Sequence, residues 1–388
     1  MGSRRDDFAK TLSHGRPSRL MLDFGGCAQA GMMDLSMKRL LRHLGLPYDE
    51  GAAYGWHVDE RVQELLDIDV RHVGGELYPL RPAARSISPT EYVCPWGITR
   101  KFMGVYWEIS ETPLKGASYA DLDRYDWPDP DSVDPKVVEG YAERARFLHD
   151  ETDYVIVGAS TGFGGFELGC WMCGFDDFLY RMAADKDFVR KFFDITLRYQ
   201  ERCIDLYYGA IGRYIHYTCA GDDFATQNTT FVSPGSFDEL IAPYLAERIR
   251  LIKRHTDAAF LQHSCGNVRP ILPSLIRCGV DIVNPMQPCC ADMDPASLRR
   301  AFGGEVTFHG GIDTQHALRV GTPDDVRACV RGVIDAMGVD GGYILAASHI
   351  LQDDIPCENV LAMYREAREY SGRLIAERDA AEAAGRRG

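Results

Sequence analysis

Short runs of β-branched and aromatic residues alternate along the chain with longer stretches whose apolar positions recur at helical spacing. The runs are Arg19–Gly25, Asp69–Val73, Tyr154–Ala159, Tyr214–Ala220, Ala258–His263, Val280–Asn284, Val306–Gly310 and Tyr343–Ala347. Strands covered on both faces read as continuous apolar runs, and eight of them separated by helical patterns predict an α/β fold, a (β/α)8 TIM barrel. The second and third runs are far apart, and the interval from Glu76 to Pro135 is rich in turn signals, so it reads as an insertion. Ser233-Pro234 and Thr322-Pro323 each mark a helix start, a hydroxyl cap followed by proline at the first helical position. The stretch Ala376–Gly388, rich in alanine and charge, predicts a terminal helix. No linker, repeat or low-complexity run divides the chain, which predicts a single domain.

Composition narrows the classes of function. The chain has 388 residues, 45% apolar and 26% charged, as a globular protein with a sizeable core does. Lys plus Arg number 43 against 57 Asp plus Glu, a net charge of −14. Such a surface repels nucleic acid, anionic membrane and large polyanionic substrates. No apolar run is long enough to cross a bilayer, and the opening arginines have no apolar stretch behind them, so the expected location is the cytoplasm. The 12 cysteines are then expected to be reduced thiols, most of them small buried apolar groups.

In a barrel, chemistry sits where strands end and the following loops begin. The fifth run ends His263-Ser264-Cys265-Gly266. Residues two apart in an extended segment point the same way, so His263 and Cys265 can offer an imidazole and a thiolate to one zinc ion. The eighth run ends Ser348-His349, and all strand ends of a barrel share one mouth, so His349 can converge on that pair. The fourth ends at Asp222-Asp223, the sixth at Gln287, and the third is followed by Gly162, Phe163 and Glu167. Glu167 is a carboxylate in an aromatic setting and suits a pocket role. Cys170 and Cys173 have redox or zinc-knuckle spacing but fall in a helical pattern, and Cys289-Cys290 are too close in sequence to share a tetrahedral ion easily. Trp56, Trp96, Tyr106, Trp107, Phe163, Phe166 and Trp171 can line an apolar pocket or simply pack the core.

Several stretches together resemble the uroporphyrinogen decarboxylase superfamily, in particular its corrinoid-linked methyltransferases. They are Arg16–Gly26, Gly221–Gln227, Val232–Pro234, His263–Gly266, Gly279–Gln287, Gly310–Gln315, Ser348–Gln352 and Pro356–Asn359. The likeness spans residues 16–372, leaving 1–15 as an N-terminal extension and 373–388 as a C-terminal helical tail. It implies a (β/α)8 barrel and, in the methyltransferase branch, zinc at the His-x-Cys motif.

The decarboxylase itself resembles an arginine-lined cleft for a polycarboxylate, with arginines in the loop after the first strand. Here that loop is Gly25–Gly31, without arginine, although His349 stands where that enzyme has a C-terminal histidine. Unpaired buried carboxylates would cost several kcal/mol each, roughly. The methyltransferase branch is therefore the expectation, with zinc on His263, Cys265 and His349, and with Glu167, Asp223 and Gln287 as catalytic or supporting groups. One thiolate and two neutral imidazoles leave zinc a net positive charge, which suits polarising an ether oxygen. Gln287 matches a carboxylate ligand of cobalamin-independent methionine synthase, and Glu167 or Asp223 can serve as fourth ligand or proton donor. The methyl donor is expected to be an O-methylated aromatic. The acceptor is the Co(I) corrinoid of a partner protein, since this chain shows no cobalamin-binding Asp-x-His-x-x-Gly motif. Three alternatives stay open: a methyl-corrinoid:thiol methyltransferase with Cys357 in place of His349, a metal-free decarboxylase, and a degenerate barrel that only binds the corrinoid protein.

Overall fold

The computed structural model describes residues 2–104, 106–158 and 164–385. Eight strands form a parallel sheet, and each of the eight apolar runs contributes one. They are β1 (Met21–Leu22), β2 (Val70–Val73), β7 (Val155–Gly158), β8 (Tyr217–Gly221), β9 (Ala259–His263), β10 (Ile282–Met286), β11 (Thr307–Ile312) and β12 (Tyr343–Ala347). Each strand pairs in parallel with its sequence neighbour, and β1 pairs with β12. At the remaining seam Asp69 N–H donates to the Leu22 carbonyl at 3.2 Å, and Leu22 N–H donates to the Asp69 carboxylate at 2.8 Å. The ring is thus nearly closed, a single-domain (β/α)8 TIM barrel. Every strand of it from β7 to β12 is buried along its length.

The N-terminal end of the barrel is covered by the helix Arg4–Leu12, held by a Ser3/Asp6 capping box. Its Phe8 stacks on Tyr217 at 5.4 Å, so this helix packs into the barrel floor. The last helix runs unbroken over Cys357–Gly385 and buries Ile375, so the tail continues a barrel helix. Ser233 and Thr322 cap the helices they begin, as the sequence predicts.

The insertion has a structure of its own. It holds a four-stranded antiparallel sheet in the order β3 (Arg85–Ser88), β4 (Glu91–Val93), β5 (Thr99–Phe102) and β6 (Trp107–Glu111). The Leu114 N–H donates to the Met172 carbonyl at 2.7 Å, tying the insertion to the helix Gly165–Cys173 after β7. That helix contains Glu167. Among the described residues no helix is long and apolar enough to cross a membrane.

Candidate metal centre

Strand β9 delivers His263 and Cys265 to the C-terminal mouth, and the segment after β8 delivers Asp223. The Cys265 Sγ lies 3.5 Å from His263 Nε2, and the same nitrogen lies 3.5 Å from an Asp223 carboxylate oxygen. One potential donor atom from each residue falls within 4.8 Å of the others, a spacing that suits a single cation. Asp223 also accepts from the Cys265 N–H at 2.7 Å, which fixes the turn after the strand. Gln287 completes that turn by accepting from the Gly266 N–H at 2.9 Å.

The orientation of His263 is set from inside the barrel. Its Nδ1 lies 2.5 Å from the Asn284 side-chain oxygen, so it donates and leaves Nε2 with a free lone pair. The Asn284 amide nitrogen donates to His309 Nδ1 at 2.6 Å, and His309 Nε2 donates to Asp23 at 2.8 Å. His309 and Asp23 have fully buried side chains, and the Tyr217 hydroxyl also donates to Asp23 at 2.7 Å. A hydrogen-bonded relay from β1 through β11 and β10 to β9 therefore aims one imidazole nitrogen at the mouth. Such outer contacts fix tautomer and ring orientation in metal sites.

The donor set fits a divalent cation better than it fits itself. Burial keeps His263 neutral, the form that ligates, by lowering its pKa. Burial, followed by the Asp223 and Glu167 carboxylates, pushes the Cys265 thiol pKa up, so a thiolate there needs a cation beside it. Imidazole, thiolate and carboxylate together are a zinc-type set.

Glu167 stands beside this group. Burial raises its carboxyl to about 9, with Asp223 and Asp222 adding to the rise. Asp222 answers a different need from its neighbour. Its carboxylate accepts from the N–H groups of Phe166 at 3.3 Å and Glu167 at 2.6 Å, capping the Gly165–Cys173 helix across space. A Cβ on Gly164 would meet that carboxylate at 1.9 Å, so glycine is required where the helix approaches it.

Other sequence candidates lie elsewhere. His349 lines a mouth cavity of about 490 Å³ together with Cys265, Gln227, Gln287 and Arg319, and its Nδ1 is 3.2 Å from the Ile350 carbonyl. It stays outside the group formed by Asp223, His263 and Cys265. Cys357 begins the last helix and is also outside that group. Cys170 and Cys173 are buried within their helix. Gly162 and Phe163 lie outside the described residues. Sequence spacing found the His263/Cys265 pair, but the Asn284–His309–Asp23 relay gave no local motif because its members come from three strands.

The uroporphyrinogen decarboxylase (URO-D) family model matches residues 104–370. The chain belongs to that family. A curated relative, uroporphyrinogen decarboxylase 2 (chloroplastic) of Arabidopsis thaliana, is 26% identical over 149 residues, which is 38% of this chain. The alignment spans 35% of that relative's length. Among solved structures, a methyltransferase from Methanosarcina mazei superposes with a TM-score of 0.64 at 16% identity, covering 95% of this chain and 99% of that one. At that identity the likeness shows a shared barrel. As a family member, this chain combines the barrel with a mouth whose donor residues suit a metal.

Proposed function

We propose that this protein is a zinc-dependent methyltransferase that moves a methyl group from an O-methylated aromatic small molecule to the Co(I) corrinoid of a partner protein. The observation that carries the reading is the convergence of His263 Nε2, the Cys265 sulfur and an Asp223 carboxylate oxygen at the barrel mouth. These three residues would hold the ion, with Asp223 in the place that the sequence assigns to His349. When bound, zinc supplies Lewis acidity toward the ether oxygen.

The chain's own groups do the rest. A phenolate leaving group has a conjugate acid of pKa about 10, so it departs more readily if protonated. Glu167 holds a proton beside the ligand group and delivers it to the ether oxygen as the methyl–oxygen bond breaks. The partner's corrinoid would accept the methyl group as co-substrate, and the phenol would leave neutral. Gln287 and Asp223 keep the Cys265 turn in place while this happens. The mouth cavity gives the partner's corrinoid its approach.

The polycarboxylate reading meets an electrostatic obstacle. Among the described residues lining the mouth cavity the one arginine, Arg319, is 2.7 Å from the Asp354 carboxylate. One observation favours a second reading. With Asp223 as ligand beside a thiolate, the ion's charge is balanced, and a balanced site suits a thiol acceptor whose sulfur must remain nucleophilic. A methyl-corrinoid:thiol methyltransferase is that alternative.

Two assays test these readings, and the second separates them. Elemental analysis of purified protein should give about one zinc per chain, as a single three-residue site requires. Incubation with a reduced corrinoid protein and a methoxybenzoate should then yield the phenol and a methylated corrinoid. Methyl transfer from methylated corrinoid to a thiol, with no demethylation of the ether, would replace the first reading by the second. Metal-free wild type would remove both.

A further inference from the structure

Between the insertion and the Gly165–Cys173 helix, which carries Glu167, lies a second cleft of about 190 Å³. Tyr92, Trp96, Trp107 and Trp171 supply its ring surfaces, and Glu76 and Arg100 supply opposite charges. The metal reading gives none of these residues a role. Tyr92 and Trp107 meet edge-on at 5.0 Å, so the walls are set by ring packing. The Arg100 guanidinium lies over the Trp171 ring, 4.8 Å from its centre, and its Nη1 donates to the Trp107 carbonyl at 3.3 Å.

The two groups share the cleft outside any direct ion pair, and the Arg100 charge pulls the Glu76 carboxyl down against the rise caused by burial. Among the described residues, no carboxylate lies within 4.0 Å of the Arg100 guanidinium in an ion pair. A half-buried carboxyl and a guanidinium outside any ion pair line one aromatic-walled space, the first as an acceptor edge and the second as a donor edge. The volume is below the roughly 300–1,000 Å³ of drug-sized pockets, which suits one ring and excludes a tetrapyrrole.

We propose that this cleft seats a single planar aromatic ring with an anionic group at one edge and a hydroxyl at the other, a phenolic carboxylate. The ring stacks against the aromatic walls. Its carboxylate accepts a charge-assisted hydrogen bond from Arg100, and its hydroxyl donates to Glu76. An ammonium ligand fits less well, because Arg100 already occupies the face of Trp171 and would repel it. The helix that supplies Trp171 also supplies Glu167, and the Arg100 field reaches the Glu167 carboxyl. The cleft therefore adjoins the group that handles the proton. Binding of the ring stands on the cleft alone; as methyl donor it would carry its methoxy group as a further substituent, apart from the hydroxyl at Glu76, and that identity rests on the methyl-transfer reading.

The test uses the full chain and 4-hydroxybenzoate, which has no methyl group to transfer. Titration is followed by tryptophan fluorescence and calorimetry, with the protein as purified and after metal removal by a chelator. The expected result is saturable one-to-one binding that quenches fluorescence and persists without metal. Arg100→Gln should weaken it about tenfold or more, and Glu76→Gln by a few fold, each with an unchanged circular dichroism spectrum. Tetramethylammonium should not compete. No saturable binding by wild type, indifference to Arg100→Gln, or tighter binding of tetramethylammonium would each overturn the proposal. Zinc without ring binding would sink the cleft and spare the methyl-transfer reading; ring binding to a protein that never holds zinc would do the reverse.

Discussion

The barrel and its insertion meet at one helix but are built on opposite terms. Strands β7 to β12 are buried on both faces, and the donor atoms at their ends are locked by the Asn284–His309–Asp23 relay. Strands β3 to β6 expose or half-expose nearly every residue, and Phe102, Met103, Tyr106 and Trp107 remain on the surface. A close-packed core holds donors within tenths of an ångström, as metal ligation demands. A half-open aromatic cleft tolerates adjustment, as capture of a small organic molecule demands. The lesson is a division of labour: the barrel fixes the reacting point, and the insertion adapts to what is brought there.

The division breaks first if the barrel's donors can be spared. His263→Ala and Cys265→Ala should each lose nearly all bound zinc and all methyl transfer, read by elemental analysis beside turnover. Trp171→Ala, on the insertion side, should keep its zinc and lose ring binding. His349→Ala and Cys357→Ser should both keep zinc, because neither joins the ligand group. Zinc lost with His349 would restore the ligand set that the sequence suggests and leave Asp223 at most a fourth ligand.

A smaller effect belongs to the relay. Asn284→Ala frees His263 Nδ1 and leaves His309 without its donor. Loss of such an outer contact typically costs 10–100-fold in metal affinity, roughly, and an unsatisfied buried group costs about 1–3 kcal/mol of stability. Zinc affinity measured by chelator competition, beside a thermal melt, checks both. If affinity holds while the melting point falls, the relay supports the core and not the metal.

The same contrast explains what the chain's pattern reveals. All eight barrel strands are legible because strands covered on both faces read as continuous apolar runs. His263 and Cys265 are legible because period-two geometry places them on one side of a strand end. Asp223 was visible as a candidate, but its promotion over His349 depends on loop paths that no local spacing encodes. Asp222 was visible beside it, but its capping role was not, because the helix it caps begins about fifty-five residues earlier in the chain. The insertion strands carry no apolar alternation, since exposed residues such as Arg85, Ser86 and Ile87 lack a buried face to mark them. Trp96, Trp107 and Trp171 were legible as aromatic residues, yet only the fold shows that they face Glu76 and Arg100.

The smallest effect tests whether the insertion gives up stability for binding. Burial raises the Glu76 carboxyl to about 7, while the Tyr78 hydroxyl and the Arg100 and Arg248 guanidiniums pull the other way. Tyr92, Tyr199 and Cys203 also feel its charge. The unfolded chain releases this proton near its ordinary value of 4.5 and the folded chain near 7. As pH rises through that window the unfolded state loses its proton first, so folded stability falls, and above it the penalty is constant. Glu76→Gln removes the charge and keeps the shape. It should therefore be more stable than wild type at about pH 8, by on the order of 1 kcal/mol, with the gain gone below about pH 4.5. Asp222, raised to about 7 by burial, titrates in the same range in both proteins and cancels in the comparison. Paired thermal melts across that range measure the difference. A variant that is more stable at high pH yet binds 4-hydroxybenzoate less well would mark Glu76 as a group kept for its ligand. A variant less stable at every pH would instead make Glu76 part of what holds the insertion together, and the contrast with the barrel would soften accordingly.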